Sequence, residues 1–146
     1  MGIVLNRPSE ASVAEAVPGL AELVPQDEVV HIGGPVSPAA VTLLAEFDDP
    51  GEAATIVFGD VGFARGDGDN VLLAAATRRT RVFAGYAGWA PGQLEAELAQ
   101  DGWILATPEP DDVFSGEGLA LWSSVLRRKG GRFELLARMP PDPSMN

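Results

Sequence analysis

The sequence predicts a single α+β domain organised around a mixed sheet. Short β-branched runs alternate along the whole chain with segments of helical apolar spacing. The 146 residues are 46% apolar and 21% charged, enough to bury a core without disulfide or metal support. No internal repeat and no long linker divides the chain. The domain is expected over residues 1–138. Residues 139–146 hold three prolines and are expected to form a disordered tail.

Taken in order, Gly2-Ile3-Val4-Leu5 reads as a strand closed by Asn6-Arg7-Pro8, because Pro8 pushes Arg7 toward extended backbone. No turn precedes this strand, which implies an edge position or a chain whose front has been removed. Ser12 is placed to cap a helix with Val13, Val17, Leu20 and Leu23 on one face, broken at Pro18-Gly19. Val29–Ile32 is a strand delivered into the sharp turn Gly33-Gly34-Pro35, where a glycine with positive φ is expected. Residues 40–47 fit strand or helix and are read as strand because of their length and the Asp48-Asp49-Pro50-Gly51 turn. Residues 55–58 form a further strand, 59–70 a loop, and 71–77 a helix with Asp69 near its start. Residues 81–87 are read as strand, 91–100 as a helix opened by Pro91, and 103–106 as strand. A helix over 117–128 carries Leu121, Val125 and Leu126 on its apolar face and stops at Gly130-Gly131. Residues 133–137 are read as the last strand.

Composition excludes several chemistries. The absence of cysteine removes disulfides, thiolate catalysis and sulfur-bound metals, and fits a reducing compartment. His31 is the sole histidine, so multi-histidine metal sites are excluded. The net charge of −11 is uneven: residues 1–77 hold two arginines and twelve carboxylates, residues 78–146 eight basic and nine acidic residues. Such a surface repels a phosphate backbone over most of its area. No apolar run reaches the roughly 18 residues of a membrane span. The start lacks a basic leader, and Asn6 breaks the myristoylation pattern. A cytoplasmic setting is expected.

The densest motif is Gly85-Tyr86-Ala87-Gly88-Trp89-Ala90-Pro91-Gly92-Gln93-Leu94, a strand passing through glycines into a helix start. Free amides there could hold an anion. However, Gln93 and Leu94 follow the last glycine where a phosphate loop needs Lys and Ser or Thr, and the dinucleotide pattern also fails. The simpler reading is a tight strand-to-helix joint plugged by Trp89. Glu97 and Asp101 share an i,i+4 face that could ligate a cation, though a solvated face explains them. Asp60, Asp67 and Asp69 lack calcium-loop spacing. His31, among valines and an isoleucine, is read as a packed residue. Arg78-Arg79-Thr80-Arg81 and Arg127-Arg128-Lys129 would make an anion patch only if folding joined them; separately they read as a helix end with its turn and as charges complementing a helix dipole.

The runs Gly2-Ile3-Val4-Leu5-Asn6-Arg7-Pro8, Gly33-Gly34-Pro35-Val36 and Gly85 through Leu98, followed by Trp103 and Asp112-Val113-Phe114, closely resemble the AlgH/YqgE family of small bacterial proteins, over residues 2 to about 138. The resemblance implies an α+β fold whose bent mixed sheet forms a partial barrel packed with short helices. It implies no assigned activity and no catalytic residues; the family is often described as transcriptional regulators. It marks Asn6, Arg7, Gly33, Gly34, Gly85, Gly88, Trp89, Gly92, Gln93 and Glu97 as candidate ligand-binding positions, expected to gather around one joint. Family members generally carry about forty residues, with a strand pair, ahead of Asn6-Arg7-Pro8. That part of the sheet is expected to be missing or supplied otherwise, and with it an exposed sheet edge and homo-oligomerisation through that edge are expected.

Three functions follow in order. The first is a non-enzymatic regulatory or binding protein acting through a protein partner or small ligand. The second is a small hydrolase or transferase using Glu97 with Gln93 and Arg7, which requires a pocket with a carboxylate of raised pKa. The third is a DNA-binding regulator, opposed by the charge. No metal or cofactor is expected.

Overall fold

A computed structural model describes residues 1–66, 68–116 and 118–139. Its six strands are β1 (Pro8–Ser12), β2 (Val29–Ile32), β3 (Val36–Phe47), β4 (Thr55–Phe58), β5 (Val61–Phe63) and β6 (Thr77–Tyr86). They form one open sheet in the order β1-β2-β6-β3-β5-β4. Only β2 and β6 run parallel; the other pairs are antiparallel, so the sheet is mixed. Short helices surround it: α1 (Val13–Ala16), α2 (Asn70–Ala76), α3 (Gln93–Ala99), α4 (Pro110–Phe114), α5 (Leu121–Lys129) and α6 (Arg132–Leu136). The architecture is the α+β class expected.

Strand alternation divides the core between the two faces of the sheet. Val82 of β6 and Leu43 of β3 pack with Val13, Leu23 and Val30 on one face. Their neighbours Phe83 and Leu44 pack with Val61 and Val113 on the other, with Ile3 and Leu5 against them. The long β3–β6 ladder, which aligns Leu43 with Val82 and Thr42 with Phe83, therefore carries both layers.

Local chemistry explains the element starts. Ser12 caps α1 by accepting from the Glu15 N–H, and Asp69 caps α2 by accepting from the Val71 N–H at 2.8 Å. Pro18 opens a 3-10 turn over Pro18–Leu23, which is the break expected in the helical pattern. Basic side chains crowd the last turn of α5, and Gly130 and Gly131 end it with φ of 71° and 59°.

Several expectations are corrected. Residues 2–5 do not form a strand. Their ladder pairing is a single bridge between Gly2 and Ala87, and the regular edge strand begins at Pro8, which has no N–H to donate. β3 starts at Val36 rather than residue 40, because Val36 pairs with Tyr86 across an irregularity that holds Ser37 at φ 47°. The expected loop 59–70 contains β5, joined to β4 through Gly59 with φ 50°. β6 begins at Thr77, directly after α2, so the first arginine cluster lies in a strand and not at a helix end. Pro91 stays in the turn before α3, where Gly92 is the N-cap with φ 78°.

Residues 103–106 form no strand and leave Trp103, Ile104 and Leu105 exposed. The last expected strand, 133–137, is α6 followed by Ala137. Phe133, Leu136 and Ala137 recur at i, i+3 and i+4, a helical period that a five-residue run disguises. The expected helix 117–128 is α5 over Leu121–Lys129, preceded by a 3-10 turn at Gly118–Ala120. Asp67, Glu117 and the tail expected to be disordered, 140–146, lie outside the described residues.

Candidate functional site

Two strands leave the sheet side by side at a joint that only glycine can fill. The Gly33 N–H donates to the Ala84 carbonyl at 2.8 Å, holding the end of β2 against β6. A Cβ at Gly33 would sit 2.4 Å from the Gly85 carbonyl oxygen, and one at Gly34 would sit 2.1 Å from the Tyr86 carbonyl carbon. Gly85, at φ 71°, approaches the Gly34 oxygen as closely. All three glycines are buried, so they set backbone packing.

The N-terminal segment lies along this joint. Gly2 and Ala87 exchange both backbone hydrogen bonds at 2.8 Å, and the Val4 N–H donates to the Gly33 carbonyl at 2.8 Å. Trp89 then lies across Gly2, where a Cβ would sit 3.0 Å from the indole ring. The Trp89 and Trp103 rings meet edge to face, 5.8 Å between centroids at 64°.

One carboxylate ties these indoles together. Glu97 Oε2 accepts from Trp103 Nε1 at 2.9 Å and from Trp89 Nε1 at 3.2 Å, while Oε1 accepts from the Gln93 amide at 2.9 Å. Gln93 in turn accepts from the Ala90 N–H at 3.0 Å. The hydrogen bond from Trp103, followed by those from Gln93 and Trp89, holds the Glu97 carboxyl below the usual carboxylate range. The Gln93–Glu97 motif thus orients two indole walls.

Those walls enclose an apolar cleft of about 370 Å³. Residues 2–6 form one side; Trp89, Trp103 and Ile104 form the second; Leu121, Trp122, Val125 and Leu126 of α5 form the third. Among the described residues no charged side chain lines it, and Asn6 is the only polar side chain there apart from the indole N–H groups. All three tryptophans of the chain converge here, with Trp103 47% and Trp122 41% exposed.

The candidate positions therefore separate into groups. Asn6, Trp89, Gln93 and Glu97 build or support the cleft. Gly33, Gly34 and Gly85 shape the joint behind it. Gly88 packs beside Val36 and Tyr86, and Gly92 supplies the left-handed start of α3. Arg7 is exposed and does not line the cleft; its carbonyl accepts from the Ile32 N–H. Sequence reasoning did not single out Trp122 or Ile104. A tryptophan beside the apolar stripe Leu121, Val125 and Leu126 was the available signal for Trp122.

The basic clusters do not combine into an anion patch. Arg78 reaches Asp48 at 2.9 Å and Asp60 at 3.0 Å, and Arg79 reaches Glu46 at 2.7 Å and Asp111 at 2.6 Å. Buried Arg81 pairs with Glu28 at 3.0 Å and donates to the carbonyls of Val113, Phe114 and Ser115. Arg128 engages Asp112 at 2.6 Å, and Lys129 donates to the Leu105 carbonyl at 2.6 Å. His31 is 5% exposed, packs on Phe83, and has its pKa lowered by burial and then by Arg81. Among the described residues no group of acidic or histidine side chains could hold a metal ion, and no helix is long and apolar enough to cross a membrane.

Comparison with known proteins places this chain and its fold in a family. The AlgH-like family profile matches residues 1–134. A UPF0301 protein of Thermobifida fusca is 41% identical over 157 aligned residues, covering all of this chain and 79% of the relative. A UPF0301 protein of Mycobacterium tuberculosis is 40% identical over 151, covering all of this chain and 75% of the relative. Among solved structures, protein DIP2367 of Corynebacterium diphtheriae superposes with a TM-score of 0.85 at 25% identity, over 94% of this chain and 74% of that one. The AlgH protein of Pseudomonas aeruginosa superposes at 0.69 and 27% identity, over 97% and 78%. The chain belongs to the AlgH-like family.

Proposed function

We propose that this chain is a non-enzymatic binding protein that exerts a regulatory role through a partner seated in the tryptophan cleft. The observation that carries this reading is the cleft itself: an open apolar concavity of about 370 Å³, walled by three indoles and holding no charged side chain. Partly exposed tryptophans are costly surface for a monomer and common anchors in interfaces.

The chemistry of Glu97 supports binding over catalysis. A general acid or base working near neutrality needs a carboxyl pKa raised toward 7, whereas three donors depress that of Glu97. Its hydrogen-bonding capacity goes to fixing the walls. Arg78, Arg79, Arg81 and Arg128, four of the five arginines in the two clusters that a DNA-binding reading requires, are engaged with carboxylates of the same chain.

The test is a titration with the uncharged apolar dye N-phenyl-1-naphthylamine, followed by tryptophan quenching, on the parent chain and on Trp122→Gln. One saturable site weakened at least about tenfold by the substitution, with unchanged melting, is the expected result. Equal binding by both proteins, or none by the parent, contradicts the reading.

A further inference from the structure

Trp89 and Trp103 serve two environments at once. Their rings wall the apolar cleft, while their N–H groups are given to a carboxylate, Glu97, that does not line it. An indole carries one donor and no acceptor, so each N–H held by Glu97 is withdrawn from anything seated between the walls. These two residues offer a ligand ring surface alone.

The donors reach Glu97 through a fixed chain of commitments. The Ala90 N–H occupies the side-chain oxygen of Gln93 at 3.0 Å, which leaves the Gln93 amide nitrogen to donate to Glu97 Oε1 at 2.9 Å. Both indoles share Oε2, at 2.9 Å from Trp103 Nε1 and 3.2 Å from Trp89 Nε1. All three facing groups are uncharged donors, and only an acceptor without a proton satisfies them together. A glutamine or a protonated carboxyl at this position sets one donor against another. The hydrogen bonds from Trp103, Gln93 and Trp89 keep the carboxyl ionised, so a negative charge stands behind two of the cleft's walls.

This charge bears on what the cleft accepts. Among the described residues no cationic side chain lines it, so an anion that enters gives up water and meets no counter-charge. The Glu97 carboxylate adds repulsion in surroundings of lower dielectric than water. An uncharged ring compound meets neither cost and packs on the indoles by stacked or edge-to-face contact.

We propose that Glu97 is the positioning and specificity-determining residue of the cleft: it fixes two indole walls, takes up their donors, and thereby selects uncharged apolar ring compounds against anionic ones of the same skeleton. The inference rests on the binding function proposed above and names the class of ligand. Glu97 acts through Trp89 and Trp103 and does not itself touch the ligand.

The test uses two dyes of one skeleton. N-phenyl-1-naphthylamine is neutral, and 1-anilinonaphthalene-8-sulfonate adds a single negative charge to it. Each is titrated by tryptophan quenching into the parent chain, Glu97→Gln and Trp122→Gln. The parent should bind the neutral dye at least about tenfold more tightly than the anionic one. In Glu97→Gln the charge is gone and indole N–H groups are released to the sulfonate, so this preference should shrink at least about threefold. No hydrogen bond joins Trp122 to Glu97, so Trp122→Gln should weaken the neutral dye and leave the preference within about threefold. Should Glu97→Gln melt early, Glu97→Met, of similar length and without a donor, replaces it. Equal binding of the two dyes by the parent overturns the selection, and a preference that shrinks less than about threefold in a folded Glu97 variant overturns the role of Glu97. In both cases the cleft reading stands if Trp122→Gln still weakens the neutral dye. Binding of neither dye by the parent overturns both.

Discussion

The two ends of β6 stand in opposite states. At its start, Arg78, Arg79 and Arg81 meet Asp48, Asp60, Glu46, Asp111 and Glu28, and the carbonyls of residues 113–115 complete the shell of Arg81. Just beyond its end, Ala87 adjoins a cleft walled by three partly exposed tryptophans. Ion pairs fill the charged end, whereas apolar rings stay exposed at the other. The difference separates a fold-holding end from a recognising end, and substitutions at the two ends should separate in the same way.

The largest effect is expected at the charged end. Arg81→Ala removes the cation from a nearly buried pair and strands Glu28 and three carbonyls, which should cost about 3–5 kcal/mol in denaturant unfolding. At the joint, Gly34→Ala forces a Cβ against the Tyr86 backbone and should cost about 2–4 kcal/mol in the same assay. Trp89→Ala, removing a half-buried ring that packs on Gly2 and Trp103, should cost about 2–3 kcal/mol, below the range for a fully buried tryptophan. Trp122→Gln at the open end should stay within about 0.5 kcal/mol while weakening dye binding at least about tenfold. A large stability loss there would make the cleft a structural feature and erase the contrast.

Acid titration sharpens the charged end. The folded pKa of His31 lies below its ordinary 6.5 because of burial and Arg81, so the unfolded chain takes up the proton first as pH falls. Stability should therefore decline from about pH 6.5 downward until His31 itself titrates, and His31→Phe should flatten that part of the curve. Glu46, lowered chiefly by its hydrogen bond from Arg79, contributes stability that is lost only as pH falls below its ordinary 4.5. An unchanged slope above pH 5 in His31→Phe would remove His31 from this account.

Much of this division was legible in the chain. The apolar alternation of Val82-Phe83 and Leu43-Leu44, the caps Ser12 and Asp69, and the glycines at 33, 34 and 85 are local signals, and each led to the right element or joint. What stayed hidden depends on contacts that no local period or spacing marks. The arginines of β6 resembled a helix end because the carboxylates that absorb them lie 18 to 53 residues away. Glu97 resembled a solvated or catalytic carboxylate because its task, fixing two indoles, needs Trp103 to return to α3. Residues 2–5 had the composition of a strand, and they fall short of one in the fold because their backbone pairing is confined to Gly2 with Ala87 and the Val4 N–H with Gly33. Short apolar runs at 103–106 and 133–137 misled for another reason: five residues do not define a period.

Parallel dye titration and denaturant unfolding of Trp122→Gln and Arg81→Ala test the central claim most directly. The account predicts that Trp122→Gln weakens dye binding at least about tenfold with stability kept within about 0.5 kcal/mol, and that Arg81→Ala loses about 3–5 kcal/mol of stability while the folded protein still binds the dye. Loss of both properties in Trp122→Gln, or loss of dye binding by folded Arg81→Ala, would contradict it.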